Sequence, residues 1–396
     1  MKLKRLPSDF LVEEQLEPLP PGGPFALYRL TKESLGTPEA VDAVLKRWKL
    51  SRRDLAYAGL KDKHARTIQY LSIRRGPRRG WRQPHLELEY LGQISRPVHP
   101  RDIVANRFVL VLRDLTEAEV ARAQAALDEV ARDGLPNYFD QQRYGSVTDS
   151  GEFIARSWCL GDYERAVWLA LAAPNRHDSP QVRQEKAILR QHWGDWARCK
   201  EQLPRSHTRS LVTYLVDHPG DYRRALALIR HDLRSLWLAA YQSHIWNGVL
   251  GTLVRQLCRA EQRADLRIGP DVLPFYRHLD EEQRSRLQAL VLPLPSARLH
   301  LAGSPLAAVY DQVLAAEGMS LRQMRLKYPR DTFFSKGQRA AVVQPGDLTS
   351  AMSDDELYPG RRKLTLRFTL PRGSYATILV KRITGPAAAA QIDEAC

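Results

Sequence analysis

Lys363-Leu364-Thr365-Leu366-Arg367-Phe368-Thr369-Leu370 alternates without a break, placing Leu364, Leu366, Phe368 and Leu370 on one side of a strand. A strand with one apolar face needs sheet partners and a core to cover it. Sequences of similar character lie far upstream. Phe108-Val109-Leu110-Val111-Leu112, within Arg107 to Leu112, reads as a buried strand. Phe10 to Glu14 and Phe25 to Leu30 read as shorter strands, and Thr67 to Ile73 as another, rich in β-branched and aromatic residues. Thr37-Pro38-Glu39 predicts a helix start capped by Thr37, with Val41, Val44, Leu45 and Trp48 on its apolar face. Thr116 and Glu119 form a capping box for a second helix. Val120, Ala123, Leu127 and Val130 line its inner side, and Gly134 stops it. After a turn at Pro371-Arg372-Gly373-Ser374, the stretch Tyr375 to Arg382 again reads as β-like.

The middle differs in style. From Gly151 to Tyr328 the pattern is mostly helical, as in Ser179 to Trp196 and Leu233 to Arg263, broken by Gly269-Pro270 and Leu292-Pro293-Leu294-Pro295. The reading is an α+β chain. A mixed, mainly antiparallel sheet is built from residues 1–150 plus 329–396, and a largely helical insertion spans 151–328. Closing that sheet would bring the neighbourhoods of Asp62, Asn137 and Tyr375 within reach of one another. Ala387 to Ala390 reads as a frayed tail.

Composition narrows the functional classes. With 396 residues, 43% apolar and 27% charged, the chain resembles an ordinary globular protein with room for two cores. It has no apolar run of membrane-spanning length, and no hydrophobic region follows the basic start Met1 to Pro7, so neither a span nor a signal peptide is expected. Cys159, Cys199, Cys258 and Cys396 are far apart and show no C-x-x-C spacing. They argue against structural zinc and a disulfide framework, and they fit a reducing, cytoplasmic setting. His64, His85 and His99 are dispersed, and neither H-E-x-x-H nor a glycine-rich phosphate loop occurs. No metal and no nucleotide cofactor are expected.

The net charge of +15 points to a polyanionic partner, nucleic acid above all. Arg74-Arg75-Gly76-Pro77-Arg78-Arg79-Gly80-Trp81-Arg82 has the composition of a mobile loop in which arginine meets phosphate and tryptophan meets a base. Arg74, Arg75, Arg78, Arg79 and Arg82, with Lys63, are the candidate contacts to a nucleic-acid backbone.

Ala58-Gly59-Leu60-Lys61-Asp62-Lys63-His64-Ala65-Arg66-Thr67 sets one carboxylate among cations directly after a glycine. Neighbouring positive charge keeps such a carboxylate ionised, although most acids beside lysines are surface ion pairs of little consequence. Leu135-Pro136-Asn137-Tyr138-Phe139-Asp140-Gln141-Gln142-Arg143-Tyr144-Gly145 combines amides, aromatics and an arginine. It has two readings: amide recognition and stacking of a base, or a turn whose aromatics pack the core.

These two stretches together carry a resemblance. Gly59-Leu60-Lys61-Asp62-Lys63-His64-Ala65-x-Thr67, followed by Asn137-Tyr138-Phe139-x-x-Gln142-Arg143-Tyr144-Gly145, resembles the TruD family of pseudouridine synthases. The similarity begins at Lys4 and Pro7 to Glu14 and runs through Tyr28-Arg29-Leu30-x-Lys32. It ends at Leu370-Pro371-x-Gly373-Ser374-Tyr375-Ala376-Thr377, and the middle matches more loosely, chiefly at Leu236 to Asn247.

The resemblance implies the pseudouridine synthase catalytic fold interrupted by a TRUD-specific domain. It implies isomerisation of uridine to pseudouridine in tRNA, at uridine 13, on a flipped-out base. Asp62 would be the catalytic aspartate and Lys4 a basic active-site residue. Asn137 would hold the aspartate or the base, Phe10 and Tyr375 would contact the uridine, and Phe139 would help shape the pocket. Two positions depart from the family pattern: Tyr375, where phenylalanine is frequent, and Asp140, where glycine is common. The enzyme would act as a monomer, with no membrane and no small-molecule cofactor. A non-catalytic RNA-binding or RNA-chaperone protein on the same scaffold is the alternative. A DNA-binding regulator lacks any helix-turn-helix or zinc-finger signature.

Overall fold

The computed structural model describes residues 1–386, so the tail Ala387 to Ala390 lies outside the described residues. The chain forms two compact units, Met1–Asn137 with the segment from Val343 onward, and Tyr138–Val342.

The first unit is a nine-stranded sheet. Its strands are β1 (Phe10–Leu16), β2 (Pro21–Glu33), β3 (Leu55–Tyr57), β4 (Arg66–Arg74), β5 (Trp81–Gln83), β6 (Leu86–Ile94), β7 (Ile103–Leu115), β8 (Gly346–Asp354) and β9 (Arg362–Pro371). The order is β8-β9-β7-β1-β4-β2-β6-β5, with β3 paired to β4. Only β1 and β4 run parallel, aligned at Leu11 and Arg66. The alternating stretch near the chain end is β9, set against β7 with Leu366 opposite Leu110 and Phe368 opposite Phe108. The sheet is therefore mixed, mainly antiparallel, and built from both ends of the chain.

Helix α1 (Thr37–Trp48) covers one part of the sheet, packing Ala40, Val41 and Val44 with Tyr28, Leu30, Leu71 and Leu88. Helix α2 (Glu117–Asp133) covers another. Val120, Ala123, Leu127 and Val130 join Leu110, Leu364 and Leu366 and the C-terminal helix residues Leu379, Val380 and Ile383. The Thr116–Glu119 capping box forms, and Gly134 ends α2 at φ 73°.

Two local expectations are corrected. Thr37 does not cap α1, since Gly36 occupies that place and no side chain caps the helix. The Thr37 hydroxyl instead accepts from the Lys61 N–H at 3.0 Å and donates to Gln69 Oε1 at 2.9 Å. The segment after Tyr375 is a helix, Ala376–Thr384, not a strand. Ala376, Leu379, Val380 and Ile383 recur at helical spacing, and packing on α2 overrides the β-preference of Val380 and Ile383. The arginine-rich segment is also tied down rather than free. The Arg75 N–H donates to the Pro24 carbonyl at 2.7 Å, the Arg79 N–H to the Pro77 carbonyl at 2.8 Å, and Tyr28 Oη bonds the Pro77 carbonyl.

The second unit is organised on a long helix, His231–Leu257, with a β-hairpin at Arg263–Ile268 and Asp271–Tyr276. It begins before the expected residue 151 and extends past 328. The reason is Asn247. Its buried amide accepts from the Phe139 N–H at 2.9 Å and donates to the Phe139 carbonyl and Tyr144 Oη, each at 2.8 Å. At the other end, Gln338–Ala340 pairs with Val291–Pro293 inside the same unit.

His244, on the long helix, lies between two carboxylates. Asp271 Oδ1 is 2.7 Å from Nδ1 and Glu317 Oε1 is 3.1 Å from Nε2, and Arg156 stands by Glu317 at 3.5 Å. Burial disfavours the imidazolium, but both carboxylates outweigh it and raise the group to about 9. A raised histidine stabilises the fold fully below its unfolded value of ~6.5, and the contribution is lost as pH rises through 9. Urea midpoints should therefore fall between pH 6.5 and 9 in the wild type, and His244→Gln should remove that fall. An equal fall in both proteins would show that the cluster does not act this way.

Candidate active site

The Asp62 segment is a loop whose backbone is fixed from below. Lys32 ends the alternation Ala26, Tyr28, Leu30, Lys32, which places its ammonium on the buried face of β2. That ammonium donates to the carbonyls of Leu35 at 2.6 Å, Lys61 at 3.4 Å and Asp62 at 2.9 Å. Glu14, at the equivalent buried position of β1, pairs with Lys61 at 2.8 Å and accepts from the Tyr70 N–H at 3.0 Å. Gln69 Nε2 donates to the Gly59 carbonyl at 3.3 Å. With the Thr37 hydroxyl on Lys61, the loop backbone is anchored by buried polar groups at Gly59, Lys61 and Asp62.

Above this floor the Asp62 side chain forms an ion pair with Lys4. The Lys4 side chain is only 4% exposed, whereas that of Asp62 is 32% exposed and open to an approaching molecule. Lys4 adopts φ 56°, a left-handed conformation that costs a non-glycine residue about 1–2 kcal/mol. Its ammonium also lies 4.4 Å from the centre of the Phe10 ring, a cation–π contact. Phe10 is buried and meets Phe108 edge-on at 6.4 Å, and Phe108 stacks on Phe368 at 5.3 Å. The strained lysine is thus seated on a column of rings spanning β1, β7 and β9.

Asp62 Oδ1 accepts from the His64 N–H at 3.2 Å, and the His64 imidazole itself is exposed. Burial alone would push the Asp62 carboxyl up. The Lys4 charge and hydrogen bond, with the His64 N–H and its ring, outweigh burial and hold it below the usual carboxylate value. Lys32 shifts oppositely: burial drives its ammonium down to about 8 against the pull of Asp62 and Glu39.

Among the expected site residues, the structure gathers Lys4, Phe10 and Asp62 into one cluster. Asn137 is buried and accepts from Ser374 Oγ at 3.1 Å, so the Asn137 motif meets the Ser374-Tyr375 motif directly. Phe139 belongs to the second unit, edge-on to Trp246 at 5.4 Å, with the Arg339 guanidinium 4.4 Å from its ring centre. Arg74, Arg75, Arg78, Arg79 and Arg82 are all exposed. Arg82 pairs with Glu87, and Lys63 lies 3.8 Å from Glu39. Sequence reasoning missed the roles of Lys32, Glu14, Thr37 and Ser374. It also missed Leu60, a residue 68% exposed two positions before Asp62.

The tRNA pseudouridine synthase D (TruD) family model matches residues 1–383, a span that contains all of the second unit, most of the first and every residue of this cluster. The chain belongs to the TruD family of tRNA pseudouridine synthases. Family relatives include the "Probable tRNA pseudouridine synthase D 2" of Methanocaldococcus jannaschii, 31% identical over 96% of this chain and 91% of that protein. The tRNA pseudouridine synthase D of Aquifex aeolicus is 28% identical over 97% of this chain and 98% of its own. The fold matches the crystal structure of the Methanosarcina mazei TruD protein with a TM-score of 0.74, at 23% identity, over 96% of this chain and 93% of that one. Membership of the TruD family makes this chain an isomerase acting on tRNA uridine. Among its described residues no helix is long and apolar enough to cross a membrane.

If Lys4 is what keeps the Asp62 carboxyl low, Lys4→Met should raise its titration midpoint. Carboxyl carbon NMR of aspartate-labelled protein reads this directly. An unchanged midpoint would remove Lys4 as the cause.

Proposed function

We propose that Asp62 is the catalytic carboxylate and that the target is uridine 13, in the D-stem region of tRNA. The observation that carries this reading is the Lys4–Asp62 pair: an acid held ionised, yet partly exposed, beside a buried cation. Pseudouridylation breaks the N1–C1′ bond, turns the uracil and joins C5 to C1′. The proton lost from C5 is balanced by one gained at N1. Two routes use the same ionised group, attack on C1′ or removal of the C2′ proton to form a glycal. Both need a carboxylate that is not protonated at neutral pH, and Lys4 serves that need.

Tyr375 and Asn137 are proposed to line the uridine site, with Phe10 beneath the Lys4 ammonium and Phe139 shaping the wall. Arg74, Arg75, Arg78, Arg79, Arg82 and Lys63 would hold the RNA backbone, supplying affinity with little sequence choice. The sheet unit would be the catalytic domain and the helical unit the TRUD-specific one. The reaction is redox-neutral and isomeric, so on this reading it needs no redox cofactor; a cytoplasmic setting and a monomeric state are further parts of the proposal.

A uridine inside a helical stem must be everted before reaction, at a cost of a few kcal/mol. Leu60 is suited to fill the vacated space, because it is an exposed apolar side chain on a backbone anchored at Gly59 and Lys61.

Asp62→Asn should abolish pseudouridine formation, by at least about 10³-fold, while tRNA binding stays near that of the wild type. Pseudouridine mapping and a binding titration on the same preparation check both halves. Turnover by Asp62→Asn would refute the catalytic assignment, and wild-type product at a different uridine would refute the position. Leu60→Ala should lower kcat/KM about tenfold on folded tRNA, and much less on an unstructured oligoribonucleotide carrying the same uridine. An equal loss on both substrates would exclude a wedge.

A further inference from the structure

The second unit contains a cavity of about 460 Å³ that the chemistry at Asp62 does not use. Its walls are Ser296 to Arg298 on one side and Met324 to Leu326, Arg330 and Thr332 to Phe334 on the other. Arg298, Arg325 and Arg330 line it, and no carboxylate does. All three arginines are exposed, and none forms an ion pair among the described residues. Phe333 also lines it, 67% exposed, although its neighbours Thr332 and Phe334 are buried.

The walls are built rather than incidental. The buried amide of Gln242, on the long helix, donates to the Pro295 carbonyl at 3.0 Å and to the Ser335 carbonyl at 2.8 Å, tying one wall to the other. The Ala297 N–H donates to the Met324 carbonyl at 3.0 Å. Arg234, itself buried, grips Asp331 through two nitrogens at 2.9 and 3.0 Å and Thr332 Oγ1 at 2.7 Å. Asp331 is thereby neutralised, and the backbone that carries Phe333 is fixed. An exposed aromatic on a rigid backbone, ringed by unpaired guanidinium groups, is poorly explained by packing alone.

We propose that this cavity seats one unstacked nucleotide of the RNA substrate, its base on the Phe333 ring and its phosphates on Arg298, Arg325 and Arg330. The inference rests on the reading of the chain as a tRNA-modifying enzyme and adds a second RNA contact remote in sequence from Asp62. A nucleotide supplies both a π-face and an anionic phosphate, matching the ring and the forked donors together. An acidic peptide would satisfy the arginines and leave the ring unmet.

The test is fluorescence anisotropy with a labelled tRNA transcript, using full-length protein. Phe333→Ala should weaken binding about tenfold, within the range that base stacking yields on alanine substitution, and Phe333→Trp should retain it. Arg325→Ala combined with Arg330→Ala should reduce the slope of log affinity against log salt by about 1.4, the value for two single-strand phosphate contacts. Phe333→Ala binding within about twofold of wild type would overturn the proposal, as would polyglutamate competing as well as an oligoribonucleotide. Each change is also measured in Asp62→Asn protein. Normal binding by Phe333→Ala beside an inactive Asp62→Asn condemns the cavity and leaves the catalytic reading intact. Weakened Phe333→Ala binding beside an active Asp62→Asn does the reverse.

Discussion

A cation buried beneath the Asp62 loop is the constraint on which the site depends. The Lys32 side chain is almost fully enclosed, with 1% residue exposure, and an unpartnered ammonium there would be prohibitive. Three backbone carbonyls meet it, two of them from Lys61 and Asp62. Those carbonyls must point inward, and the loop is held with its Asp62 side chain turned to Lys4. Glu14 repeats the device with opposite sign, drawing the Lys61 ammonium away from Asp62. The result is charge sorting: Lys32 lies under the backbone, Lys61 is tied to another acid and Lys4 faces the Asp62 carboxylate.

The sheet was legible because its strands alternate so regularly. Leu364 to Leu370 announced β9, and Phe108 to Leu112 announced its partner β7. The same regularity could have exposed the site's floor. In Phe10, Val12, Glu14 and in Ala26, Tyr28, Leu30, Lys32, a charged residue falls at an inward position of an otherwise apolar series. Such a residue has to find a buried partner, and here both find the Asp62 loop. Thr37 was misread because a threonine before proline and glutamate is a helix cap by local rules. Its tertiary partners, Lys61 and Gln69, are not local. The helix after Tyr375 was misread for a related reason: Thr377, Ile378 and Val380 favour strands, and only contact with α2 selects the helix.

The Lys4–Asp62–Phe10 grouping was legible through family motifs but not through spacing, since 58 residues separate the paired charges. The helical unit was legible as a style and poorly as a boundary. Asn247 captures the Phe139 backbone by hydrogen bonds that no local pattern announces. The exposed Leu60 and Phe333 were invisible for a different reason. Exposure is a property of surroundings, and an apolar residue in a short motif looks like core until its neighbours are placed.

Arg113 has one more consequence. Buried on β7, it holds Asp9 through paired bonds of 2.8 to 3.0 Å and Asp355 at 2.9 Å, so the turn leading from Lys4 into β1 is fastened to a segment near the far end of the polypeptide. During synthesis Lys4, Asp9 and Asp62 leave the ribosome early, yet Asp355 is translated only after the whole of Tyr138–Val342. The intervening segment, Tyr138–Val342, forms a compact unit of its own. A nascent or prematurely terminated product ending before Asp355 therefore carries the Lys4–Asp62 pair while lacking the Asp355 half of the Arg113 clamp.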